Sequence, residues 1–198
     1  MNSALRGAAA ALVLWGATNC RAQTPALSSA AAVSDVRPES WAQPLSRPGL
    51  PNFFKVSEGL YRGAQPTAAG LKSLKELGVK TVIDLRAGHS DSVPIPAGLD
   101  MVRIPMRAWR APEADMVRFL RLAADPKRGP VFVHCQHGAD RTGLMVAVYR
   151  LAVQGWSKDE AVREMTSGGY GFHPVWKNIP AALRKLDVAK LKKAAGLE

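Results

Sequence analysis

The sequence predicts a single α/β domain, with a central, mostly parallel sheet flanked by helices on both faces. Three observations predict it. Short apolar, β-branched runs at 80–86, 99–105 and 131–134 alternate with longer stretches of helical spacing. The first of these runs is dense enough in apolar residues for a central position, and the last is apolar from Val131 to Val133, as in a buried strand. A hairpin pattern precedes them all, so the sheet is expected to be parallel except at one end.

Residues 1–22 are read as a signal peptide outside the fold: Arg6 gives a positive start, Ala8 to Trp15 an apolar run, and Cys20-Arg21-Ala22 a small-x-small end. Cleavage after Ala22 implies export to the periplasm or beyond. The apolar run is too short to span a bilayer, so no transmembrane span is expected in the mature chain. Acylation of Cys20 is the alternative, although Ala17-Thr18-Asn19 is a poor lipobox. Removing this leader leaves Cys135 as the only cysteine, unable to form an intramolecular disulfide.

Residues 23–51 are rich in Pro, Ala and Ser, and read as a linker or loosely docked arm, with Trp41 a point of attachment. The domain is expected over 52–198. Phe53–Val56 and Leu60–Arg62 flank Ser57-Glu58-Gly59 as a β-hairpin. Thr67 caps a helix through Leu77, with Leu71, Leu74 and Leu77 on one face and Gly78 as its stop. Strands follow at 80–86 and 99–105, then a helix at 112–124. Next come the strand 131–134 and a helix at 142–154. Ser157-Lys158-Asp159-Glu160 is a capping box for another helix, and the last is expected from Pro180 to Lys193.

With 27 Lys plus Arg against 16 Asp plus Glu, the chain carries a formal net charge of +11. Such a surface favours anionic partners. The cations are scattered and no DNA- or RNA-binding motif accompanies them, so nucleic acid is not expected. Lys185, Lys190, Lys192 and Lys193 read as the solvated face of the terminal helix.

The functional signal is concentrated in Val131-Phe132-Val133-His134-Cys135-Gln136-His137-Gly138-Ala139-Asp140-Arg141-Thr142-Gly143. A buried strand, a tight loop and a helix N-terminus make an anion site, with backbone N–H groups of Gln136, His137, Gly138 and Ala139 turned inward. N–H donors and a cation beside a cysteine favour its nucleophilic thiolate. Arg141 suits bidentate grip on phosphate oxygens, tighter as the trigonal-bipyramidal state forms. Gly138 stands where positive φ or close approach is needed. The Thr142 hydroxyl is placed near the sulfur, and His134 is read as a group orienting the loop rather than as a base.

The motif His-Cys-x2-Gly-x-Asp-Arg-Thr-Gly resembles the signature of cysteine-dependent phosphatases of the protein-tyrosine-phosphatase superfamily, in particular their bacterial dual-specificity-like branch. Leu60-Tyr61-Arg62-Gly63-Ala64-Gln65-Pro66, Val82-Ile83-Asp84-Leu85-Arg86 and Gly169-Tyr170-Gly171-Phe172-His173 extend the resemblance over roughly residues 50–185. It implies hydrolysis of phosphomonoesters through a phosphocysteine, without cofactor or metal, on a phosphorylated protein or small phosphoester. A monomer is expected.

In many such phosphatases a loop aspartate protonates the leaving group. The matching stretch here, 105–112, holds no acid. Asp140 is the first substitute, as an acid or equally as a salt-bridging residue, and Asp91 the alternative. Asp115 reads as a helix-dipole partner. Arg107, Trp109 and Arg110 are expected at the mouth, suited to a phosphorylated ring, either phosphotyrosine or an inositol phosphate. His137 is a candidate substrate contact, and His173 reads as a structural histidine. The four histidines and the cysteine lack metal-ligand spacing. Two other readings stay open: a non-catalytic phosphate-binding module, and a sulfurtransferase.

Overall fold

The computed structural model describes residues 37–88, 93–108, 110 and 112–198. The leader, Cys20, the first part of the arm, His89, Asp91 and Trp109 lie outside the described residues.

The domain is α/β, built on a six-stranded mixed sheet. Its strands are β1 (Gln43–Pro44), β2 (Phe54–Ser57), β3 (Leu60–Gly63), β4 (Thr81–Arg86), β5 (Asp100–Met106) and β6 (Val131–His134). Their order is β1-β2-β3-β6-β4-β5; β3, β6, β4 and β5 run parallel, and β1 and β2 add antiparallel at one edge. The strand that delivers Cys135 is central, Val131–His134 pairing with Leu60–Gly63 on one side and Thr81–Asp84 on the other. All residues of β3, β4 and β6 are buried; the dense apolar residues of β4 and β6 predict it for those two, while β3 carries Arg62 inward as well.

Helices cover both faces. On one face α1 (Ala68–Glu76) lays Leu71 and Leu74 against Phe53, Tyr61, Val82 and Phe132. On the other, α2 (Glu113–Ala123) and α3 (Asp140–Ala152) pack with α4 (Lys158–Ser167), α5 (Asn178–Lys185) and α6 (Val188–Ala195) over Ile83, Ile104, Val131 and Val133. Thr67 caps α1 by accepting from the Gly70 N–H. Ser157 and Glu160 form the expected capping box of α4, each bonding the other's backbone N–H.

Three expectations need correction. The arm at 37–51 is packed rather than loose: it contributes β1 and buries Ala42 and Leu50. Arg37 donates to the carbonyls of Ala42 and Gly168 and to the Tyr170 hydroxyl, at 2.7–2.8 Å. Second, α3 begins at Asp140, so Asp140 and Arg141 lie in its first turn. Third, the terminal helix is two helices. Leu186 is extended, and Asp187 caps α6 by accepting from the Lys190 N–H, a local bond that competes with helix continuation.

Candidate active site

Cys135 emerges from β6 at the carboxyl edge of the sheet, 2% exposed and free. The loop behind it is held by its carbonyls. The Gln65 N–H donates to Gln136 O (3.3 Å), Asn52 Nδ2 to His137 O (2.8 Å), and Arg62 Nη2 to Gly138 O (2.7 Å). In a trans peptide unit the N–H points opposite to the C=O. Anchoring these three carbonyls on the outside therefore turns the N–H groups of His137, Gly138 and Ala139 to the inner side. Asn52 makes this contact from a left-handed backbone (φ 52°), a conformation Asn tolerates. Gly138 has φ 72°, and a β-carbon there would stand 2.5 Å from Gly63 C and O.

Arg62 is fully buried and lies 3.7 Å from the centroid of the Tyr170 ring. Burial lowers its pKa to about 10, against the favourable charges of Tyr170, Glu164 and Cys135, so it stays cationic at neutral pH. It is a second positive charge behind the loop. Tyr170 accepts from Arg37 and donates to Glu164 Oε1 (3.1 Å); burial, then the Glu164 charge, pushes its pKa up to about 12. Asn52 and Tyr170 were not singled out from sequence, because their roles depend on contacts between distant segments. Arg62 and Tyr170 fall within the family landmarks at 60–66 and 169–173, whose pattern says nothing of this contact.

Thr142 is wholly buried, and its hydroxyl has no hydrogen-bond partner among the described residues. His134, buried beneath the loop, holds Nδ1 3.2 Å from Cys135 O and stacks on Phe132. Asp140 is 7% exposed and accepts twice from His173: backbone N–H to Oδ1 at 2.9 Å, and Nδ1 to Oδ2 at 2.8 Å. Gln136 and His137 have exposed side chains. The arrangement is a thiol at the floor of an N–H cradle, on a helix N-terminus, with an arginine in its first turn.

The comparisons with known proteins agree with that chemistry. The family model described as "DSP-PTPase phosphatase fused to NAD+ Kinase" matches residues 50–175, which is more than half of the chain. The chain belongs to the DSP-PTPase family. It is 37% identical over 166 residues to the dual specificity protein phosphatase TpbA of Pseudomonas aeruginosa, covering 83% of this chain and 75% of that one. The crystal structure of TpbA superposes with a TM-score of 0.72 at 36% identity, covering 81% of this chain and 99% of TpbA. A variant of TpbA in complex with phosphotyrosine gives 0.71 at 34% identity, over 82% and 100% of the two chains. A yeast PP-IP phosphatase core shares the fold, at 20% identity and a TM-score of 0.64, with 76% and 94% covered. As a member of the family, the protein is a phosphatase.

The rim differs from the sequence expectation in detail. Arg107 and Arg141 share a cavity of about 310 Å³ with Ala87, Gly88, Met106, Ala108 and Trp176. Arg110 lies one cavity over, with Arg107 and Asp115. A turn closed by Arg110 N–H to Arg107 O (3.0 Å) sets the two arginines, and Asn178 Nδ2 pins it through Ala108 O. Trp176 was not foreseen as a wall of this cavity; it lies outside the signature, in an irregular segment before α5. Among the described residues no helix is long and apolar enough to cross a membrane.

Proposed function

We propose that this phosphatase hydrolyses phosphomonoesters through a phosphocysteine at Cys135. The observation that carries the reading is the loop whose three carbonyls are tied outward, behind a cysteine and in front of Arg141. Inward N–H groups and the helix dipole hold the three non-bridging phosphate oxygens, and Arg141 grips two of them. The Cys135 thiolate attacks in line; as the sulfur–phosphorus bond forms, the bond to the ester oxygen breaks, and that oxygen leaves protonated as the alcohol or phenol. Water then attacks the phosphocysteine, and the buried Thr142 hydroxyl donates to the departing sulfur.

The substrate class favoured is an aryl phosphate such as phosphotyrosine in a protein. The cavity beside Arg141 is walled by Trp176 and Met106, which suit a flat apolar ring, and TpbA has been captured with phosphotyrosine. Arg107 and Arg110, both exposed, favour an inositol polyphosphate as the second reading. The leader is read as an export signal, and the working form as a periplasmic or secreted monomer beginning at Gln23; amino-terminal sequencing of exported protein checks the boundary.

The decisive experiment measures phosphate release from p-nitrophenyl phosphate, a phosphotyrosine peptide and inositol polyphosphates. The wild type is expected to turn over the aryl esters, and Cys135→Ser none. Acid-quenched enzyme should carry phosphate on Cys135. A folded wild type inert on the whole panel would sink the enzyme mechanism and leave a phosphate-binding module.

A further inference from the structure

The segment between α4 and α5 lays His173 against the phosphate loop. An ionised carboxylate only accepts, so with Asp140 Oδ2 at 2.8 Å the proton of the neutral ring sits on Nδ1 and Nε2 is the nitrogen left to exchange protons. The backbone N–H of the same residue holds Oδ1 at 2.9 Å, so His173 occupies both oxygens of Asp140. Asp140 is thereby fixed in orientation, with its side chain only 11% exposed against 48% for that of His173. The ring of His137, in the phosphate loop itself, lies 5.6 Å from that of His173, centroid to centroid. A buried carboxylate that fixes one nitrogen of an imidazole, while the ring stays open to solvent at the rim of a nucleophile's cradle, is the arrangement of a proton-transfer dyad.

We propose that His173, oriented by Asp140, is the general acid and base of this site, replacing the loop aspartate that residues 105–112 lack. The proposal rests on the phosphocysteine mechanism above. In the first step the Cys135 sulfur forms a bond to phosphorus and the bond to the ester oxygen breaks. That oxygen takes the proton from Nε2 of the imidazolium and leaves as an alcohol or phenol. In the second step water attacks phosphorus and gives its proton back to Nε2. The sulfur–phosphorus bond breaks, returning the thiolate and releasing inorganic phosphate. One proton is lent and recovered, and Asp140 stays ionised as the positioning residue. Among the described residues, the titratable groups in contact with His173 are Asp140 from α3, at hydrogen-bond distance, and the ring of His137 from the loop; Arg141 follows Asp140 in sequence.

The test compares kcat/KM of the full chain, His173→Asn and Asp140→Asn on p-nitrophenyl phosphate and phenyl phosphate across pH. Phenol is the poorer leaving group and needs the acid more. His173→Asn should lower the phenyl phosphate rate about 10²–10³-fold more than the p-nitrophenyl phosphate rate. It should also erase the alkaline limb that an acid-requiring mechanism gives the wild-type phenyl phosphate rate. The ratio of two substrates is read within one preparation, so a partly unfolded variant lowers both rates together and leaves the ratio unmoved. Asp140→Asn should change the ratio in the same direction but less. The proposal is overturned if His173→Asn keeps the wild-type ratio and pH limb while Asp140→Asn loses both, which would make Asp140 the acid. A wild type inert on both esters would instead remove the phosphocysteine reading beneath it.

Discussion

At the scale of single residues, backbone conformation and fork geometry decide most. Gly138 combines positive φ with contact on the backbone of residues 63–64. Gly138→Ala adds the left-handed penalty of roughly 1–2 kcal/mol to a clash that backbone cannot relieve cheaply. Urea unfolding should show a loss above about 2 kcal/mol, and phosphatase activity should fall with it. Arg141→Lys keeps the charge and loses the bidentate grip. Turnover should fall about 10²–10³-fold if Arg141 carries the phosphate grip proposed above, while the urea midpoint stays put, since Arg141 lines the cavity and is only half-buried. These residues were legible because the signature is contiguous: strand, loop and helix start follow one another in the chain. Asn52 and Trp176 were not, because each reaches the site from a distant segment and has no local pattern of its own.

Among elements, what periodicity could say it said well: the hairpin, the buried parallel strands, and the caps at Thr67 and Ser157 follow from local rules. It failed where a polar residue interrupts an otherwise continuous pattern, as at Asp187, and where pairing is too short to pattern, as in β1. Charge networks between elements were invisible to it. Arg150 of α3 and Glu164 of α4 pair bidentately at 2.7–2.8 Å, both 2% exposed in their side chains. Removing one charge leaves the other buried without it, so Glu164→Gln should cost about 3–5 kcal/mol in urea unfolding. Asp84 of β4 sets a pH limit instead. Burial alone would raise its carboxyl pKa; hydrogen bonds from the Arg86 side chain and backbone, with the charges of His134 and Arg86, outweigh burial and hold it below the ordinary value. A carboxylate lowered on folding contributes its full stability above the unfolded pKa of about 3.9, and that contribution is lost as pH falls through the lower folded value. The stability gap between wild type and Asp84→Asn should therefore be constant near neutrality and narrow below about pH 4. A gap independent of pH would assign the contribution to packing.

For the whole molecule, the question is where the folded unit begins. Composition places the boundary at Asn52, because five prolines and many small residues precede it. Composition reports flexibility of the unfolded chain, however, and not the contacts a segment finds. Arg37 lies 5.0–5.9 Å from the ring centroids of Phe54, Tyr170 and Trp41 and bonds Tyr170 and Gly168. The Ala42 N–H donates to Glu164 Oε1 at 2.7 Å, joining the arm to the buried Arg150 pair. Gly49 O accepts from the Thr67 N–H at the start of α1, and Pro48 O from Ser73. The arm thus ties both faces of the sheet and reaches the phosphate loop through Tyr170 and Arg62. A chain starting at residue 37 keeps all of these contacts and is the reference. One starting at Asn52 loses these charge-assisted bonds, worth roughly 1.5–3 kcal/mol each, and should be destabilised by several kcal/mol. Its turnover should fall even well below its melting temperature, because Tyr170 loses its bond from Arg37 and backs less firmly the Arg62 guanidinium that holds Gly138 O. Equal stability of the two truncations would mean that the arm merely rests on the surface.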